Sequence, residues 1–152
     1  MSDEELMRAA LAVAQNSLVS GDVPVGAIII NKHGEIIATG HNERELHNDP
    51  TAHAEIVALR RASQTTGQWR LEGHTIIVTL EPCAMCAGAI AQSRISTVVF
   101  GAWDEKAGAV GSVWDLLRDP RSLFNVEVRS GVLADECSAV LKSFIQGVRK
   151  KD

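Results

Sequence analysis

Apolar residues Leu6, Ala10, Leu11, Ala14 and Leu18 recur near the start of the chain at the three- and four-residue intervals of one helix face. Ser2, with Glu5 three positions later, supplies a capping box, so a helix is predicted from Ser2 to near Gly21. The pattern then changes. "VGAIIIN" (25–31) and "IIATGHN" (36–42) are rich in β-branched residues and flank a "KHGE" turn, which predicts a two-stranded hairpin closed by Asn42. A polar loop, "ERELHNDP", leads to Thr51 as N-cap of a helix beginning "TAHAEIVALRRA". "HTIIVTL" (74–80) is a third strand, and Pro82 occupies the first helical position after it, where a missing N–H is harmless. "STVVFGA" (96–102) and "VEVRSGV" (126–132) are read as a fourth and a fifth strand, and 133–150 as a final amphipathic helix.

The order is read as α-β-β-α-β-α-β-α-β-α, with a further helix between the fourth and fifth strands. It predicts an α/β fold: a three-layer α/β/α sandwich around a five-stranded mixed sheet, antiparallel in its N-terminal hairpin and parallel later. With 152 residues and no repeat or linker, the expectation is one domain spanning 1–152.

Composition narrows the class. Hydrophobic residues make up 45% and charged residues 22%, ordinary values that exclude disorder and fibrous repeats. The longest apolar runs are too short for a membrane span and "MSDEEL" is unlike a signal peptide, so a cytoplasmic protein with no membrane partner is expected. A net charge of −4 argues against an extensive nucleic-acid surface but permits a local one. The dense positive clusters are Arg60–Arg61 and "VRKKD", each also explained by a solvated helix face. Three cysteines, two of them three positions apart, fit a reducing compartment with metal or redox chemistry.

The candidate chemistry lies at two predicted helix starts. His53 and Glu55 are two apart, so they do not share a helix face and reach one neighbourhood from different angles. Cys83 and Cys86, at i and i+3, face one side of their helix. With His53 they make three ligands, the number a catalytic zinc site uses while leaving one position open. Helix N-termini favour anionic thiolates. Glu55, beside the metal and not on it, suits a base that takes a proton from the attacking water and passes it to a ring nitrogen and then to leaving ammonia. The reaction such an arrangement would serve is hydrolytic deamination. A core histidine with buried cysteines, or a redox C-x-x-C pair, leaves "HAE" at a helix start unexplained. Cys137, on an apolar stripe, reads as a small core residue, and Trp69 and Trp114 as packing residues.

"HAE" with "PCAMC" is the H-x-E…P-C-x-x-C signature of the zinc-dependent nucleoside and nucleobase deaminases. "GDVPVGAII", "GHN", "DPTAHAEI", "WRLEG", "VTLEPCAMCAGAI", "SRI", "VVFGA", "GAVGS" and "GVLADEC" together resemble the bacterial tRNA-specific adenosine deaminases, which convert the wobble adenosine of the anticodon to inosine. The resemblance runs from about Met7 to Arg149. It implies a cytidine-deaminase-like fold, one zinc per subunit on His53, Cys83 and Cys86, Glu55 as proton shuttle, a homodimer, and a tRNA anticodon stem-loop as substrate, arginine tRNA first. It assigns the flipped nucleotide to Asn42, Val23, Pro24 and Ala54, the flanking nucleotides to Asp104 and Lys106, and RNA contacts of the tail to Phe144 and Arg149. Trp103 and Ile145 depart from the family pattern. On the residues alone Asn42 is equally a strand-end cap and Asp104 a loop cap. The competing functions are a free nucleobase or nucleotide deaminase of guanine or cytosine type, which shares the zinc site, and a non-catalytic zinc-stabilised RNA-binding module.

Overall fold

Successive residues of the central strands enter two different cores. Ala27, Ile29, Ile76, Val78, Val98 and Phe100 pack on one face of the sheet, while Ile28, Ile77 and Val99 pack on the other. Side chains alternate across a strand, so a strand apolar at every position must be covered on both sides. In the structure, a computed structural model describing residues 1–151 with side chains through Arg149, helices supply both covers.

The strands are β1 (Gly26–Ile30), β2 (Ile36–His41), β3 (Thr75–Leu80), β4 (Thr97–Ala102) and β5 (Glu127–Arg129), in the order β2-β1-β3-β4-β5. β1 is antiparallel to β2 and β3, whereas β3, β4 and β5 run parallel. The predicted three-layer α/β/α sandwich with a mixed sheet is therefore the observed fold. The helices are α1 (Asp3–Ala14), α2 (Arg44–His47), α3 (Ala54–Thr66), α4 (Ala84–Gln92) and α5 (Ala134–Lys151). Ala54, Ala58 and Ala62 of α3 join the first core with Ala87 and Ile90 of α4; Leu6, Met7 and Ala10 of α1 join the second with Cys137 of α5.

Half of the capping box is present: the Ser2 hydroxyl accepts from the Glu5 N–H at 3.1 Å, while the Glu5 carboxylate accepts from that hydroxyl at 3.2 Å and not from the Ser2 N–H. α1 continues as a 3-10 turn, Gln15–Ser20, to Gly21, whose φ of 75° ends it. Four expectations need correction. Between β4 and β5 there is no helix; turns and isolated bridges occupy that stretch. Thr51 is not the N-cap of α3, because its N–H and hydroxyl both donate to Asp49 Oδ1 (2.9 and 2.8 Å) and tie it into a preceding turn. Pro82 lies one residue before the N-cap of α4, its carbonyl engaged by the Ala109 N–H at 2.8 Å. Trp69 and Trp114 are exposed instead of packed inside; Trp69 lies beside the Arg94 guanidinium, 5.3 Å from its ring centroid. Cys137, as expected, is buried.

α3 lies unusually close to the sheet. A Cβ on Gly40 of β2 would stand 2.5 Å from the Ala54 carbonyl oxygen and 2.6 Å from the Ala58 nitrogen. Only glycine admits the helix backbone at that distance, and it is the first turn of α3 that is so admitted. That turn carries the site.

Candidate active site at two helix N-termini

His53 and Cys83 are both N-cap residues, with extended backbones (φ −65°, ψ 155° and φ −76°, ψ 178°) and no side-chain capping bond. An N-cap side chain ordinarily turns back to satisfy the first N–H groups of its helix. Here both are left to point at each other. The β-turn-like approach of 49–53 delivers His53 to the start of α3, and β3 with Glu81–Pro82 delivers Cys83 to the start of α4.

His53 Nδ1 lies 3.6 Å from Cys83 Sγ and 3.5 Å from Cys86 Sγ. All three ligand atoms lie within 4.8 Å of one another, the one such grouping among the described residues. The thiols interact strongly. The Cys83 thiol is pulled down to about 3, first by a hydrogen bond from Cys86 and then, against burial, by His53; Cys86 is pushed up, as the donor in that bond and by burial. The hydrogen bond with Cys83 raises the His53 imidazole. Two adjacent thiols and an imidazole at two helix N-termini compete for protons unless a cation takes their place, which is the donor chemistry of a three-ligand zinc centre. The residues fit zinc.

Glu55, one residue into α3, is buried, and burial raises its carboxyl above the ordinary range while its own backbone N–H and His53 pull the other way. It lines a pocket of about 250 Å³ with His53, Cys83, Ala54, Asn42 and Val23. Asp104 also reaches this wall. The Asn42 amide is braced by the backbone, donating to the Val23 carbonyl at 3.2 Å and accepting from the Arg44 N–H at 3.2 Å.

Other candidates stand apart. Pro24 is turned from Val23 into a neighbouring groove of about 690 Å³, between the 3-10 turn and α5, where Phe144 also lies. Lys106 and Arg149 are exposed, and the side chains of Lys150 and Lys151 lie outside the described residues, as does Asp152. Arg44 and Glu81 line the pocket although their sequence context did not single them out. Arg44 had a signal, two positions from Asn42; Glu81 had only its place in front of "PC".

Comparisons with known proteins agree with this geometry. The model of the cytidine and deoxycytidylate deaminase zinc-binding region matches residues 1–102. The chain is 46% identical to the tRNA-specific adenosine deaminase of Bacillus subtilis, covering 98% of this chain and 92% of that protein. It is 47% identical to its namesake in Haemophilus influenzae, covering 98% and 86%. A solved structure from studies of A-to-I editing by tRNA:A34 deaminases superposes with a TM-score of 0.86 at 39% identity, covering 90% of this chain and 99% of that one. Two helix N-termini that hold a zinc donor set against a buried carboxylic acid thus stand in a chain that belongs to the tRNA-specific adenosine deaminases of the cytidine and deoxycytidylate deaminase zinc-binding family.

Proposed function

We propose that the chain deaminates the wobble adenosine of a tRNA anticodon loop to inosine, acting as one zinc-dependent domain and as a homodimer in the cytoplasm. The observation that carries this is the buried Glu55 carboxyl in the same pocket as His53 and Cys83, which with Cys86 make the three-ligand grouping. A zinc-stabilised binding module has no use for an acid there.

His53, Cys83 and Cys86 would hold the zinc, which when bound supplies the Lewis acidity that brings a water's pKa down towards ~7. Glu55 moves the protons. Its carboxylate takes one from the attacking water and hands it to the adenine ring nitrogen, and a further transfer lets the amine leave as ammonia; adenosine and water become inosine and ammonia. Burial raises the affinity of the Glu55 carboxylate for a proton, the sense a proton acceptor needs. Val23 and Ala54 wall the base and Asn42 offers it an amide donor and acceptor. Asp104 and Lys106 meet the flanking nucleotides, and Phe144 and Arg149 the nucleotides beyond; Pro24, expected beside Val23 at the base, faces the neighbouring groove. Free cysteines suit a reducing compartment, and no described helix is long and apolar enough to cross a membrane.

The test is inosine formation in an anticodon stem-loop of arginine tRNA bearing the wobble adenosine. Extruding the base costs a few kcal/mol, which contacts to flanking nucleotides must offset, so free adenosine and a deoxyribose version of the loop should react little or not at all. Lys106→Ala should weaken the stem-loop reaction and flatten its salt dependence. Turnover of free guanine or cytidine comparable with that of the stem-loop would favour the nucleobase-deaminase reading. Light scattering that finds a fully active monomer at micromolar concentration would refute the homodimer.

A further inference from the structure

Residues 103–112 form a wall of the catalytic pocket that no helix or long strand supports, yet Asp104 and Ala107 reach the pocket from it. One buried side chain holds this wall. Glu81, between the end of β3 and Cys83, turns its carboxylate into the loop. Oε1 accepts the Asp104 N–H at 3.0 Å, and Oε2 accepts the N–H groups of Val110 and Ser112, each at 3.0 Å. The Ser112 hydroxyl donates to Oε1 as well. Gly108 passes directly against this carboxylate; a Cβ there would collide with all of its atoms. The loop is shaped around the acid.

We propose that Glu81 is a positioning residue for the deamination, a latch that fixes loop 104–112 against the zinc-ligand turn and thereby sets how the nucleotides beside the target base are seated. It acts through Asp104 and Ala107 and exchanges no proton with the substrate. Four donors converge on one carboxylate, so its charge is met by hydrogen bonds alone, and hydrogen bonds to charged groups are the strong ones. Only Pro82 separates Glu81 from Cys83, and Cys83 pairs with Gly108 in an isolated bridge, so the loop is tied to the metal-side turn at two points. Glutamine is nearly isosteric with glutamate but replaces one acceptor oxygen with an NH₂ that faces backbone N–H donors.

The inference rests on the tRNA reading, and the experiment separates the two. In zinc-loaded protein, Glu81→Gln and the milder Ser112→Ala should retain one zinc per chain. The amides of Asp104, Val110 and Ser112 should exchange hydrogen about tenfold faster or more in Glu81→Gln, with those of α3 and α4 unchanged. KM for the anticodon stem-loop should rise about tenfold while kcat falls much less, and the double variant should be no worse than Glu81→Gln. Unchanged exchange in the loop, or unchanged KM in the folded, zinc-loaded variants, overturns the latch. A loss of kcat with a shifted pH profile and an unchanged KM overturns it too, since that is a proton-transfer role. Should Glu81→Gln not fold, Ser112→Ala decides by the same readings at smaller amplitude. If the wild type leaves the stem-loop unreacted, the tRNA reading fails, and the exchange data still decide whether Glu81 holds the loop.

Discussion

Glu55 and Glu81 are buried carboxylic acids that line one pocket, and their surroundings push them in opposite directions. Around Glu55 burial dominates and the carboxyl is raised. Around Glu81 burial acts in the same sense, but the Ser112 hydroxyl and the N–H groups of Asp104, Ser112 and Val110 outweigh it, and the carboxyl is lowered. An acid without enough donors keeps a high proton affinity and is available for proton transfer; an acid saturated with donors stays charged and serves as an anchor. The supports differ as well. The Glu55 wall is a helix turn set hard on the sheet at Gly40, whereas the Glu81 wall is a loop whose two ends are gathered by one buried carboxylate.

The largest test removes the proton carrier. Glu55→Ala should keep about one zinc per chain and lose turnover by about 10²–10⁴-fold or more, whereas Cys83→Ala should lose the metal itself; zinc analysis beside an inosine assay reads both. Stoichiometric loss of zinc from Glu55→Ala would make Glu55 a ligand and dissolve the contrast.

Next comes the support of the Glu55 wall. Gly40→Ala drives a methyl group into the Ala54 carbonyl and should lower unfolding stability by on the order of 1–3 kcal/mol, with zinc affinity falling as the first turn of α3 shifts. A urea midpoint equal to that of the wild type would show that α3 has room to move.

The two acids should also carry opposite pH signatures. Glu81 has a folded value below its ordinary 4.5, so its contribution is present in full above 4.5 and is lost as pH falls through the folded value. The stability deficit of Glu81→Gln should therefore shrink in acid. Glu55 has a folded value above 4.5, so metal-free wild type should lose stability relative to Glu55→Gln as pH rises from 4.5 through that value. Parallel pH profiles for the two variants would show that the acids share one environment.

The smallest effect concerns the third cysteine, far from either acid. Burial pushes the Cys137 thiol up to about 11, so at pH 8 it should alkylate slowly in native protein and readily after unfolding. Mass spectrometry after a timed iodoacetamide pulse checks it; prompt native labelling would mean that α5 lifts away from β4.

The sequence alone was enough for the floor of the pocket. Apolar residues at every position of the central strands require covers on both faces, and "HAE" with "PCAMC" places a zinc donor set and an acid at two helix starts, because these are short-range properties of spacing and periodicity. Tertiary structure decided the rest. The stretch between β4 and β5 reads as another α/β step but is loop, and its first part, 104–112, is bonded to a carboxylate more than twenty residues earlier, a long-range contact that no local pattern announces. Thr51 has the chemistry of an N-cap, yet Asp49 engages it first and leaves that position to His53. Val23 and Pro24 are chain neighbours, but the fold sends one into the catalytic pocket and the other into the groove beside α5. Adjacent residues in an extended backbone point to opposite sides, and only the packing around them determines what each side contains.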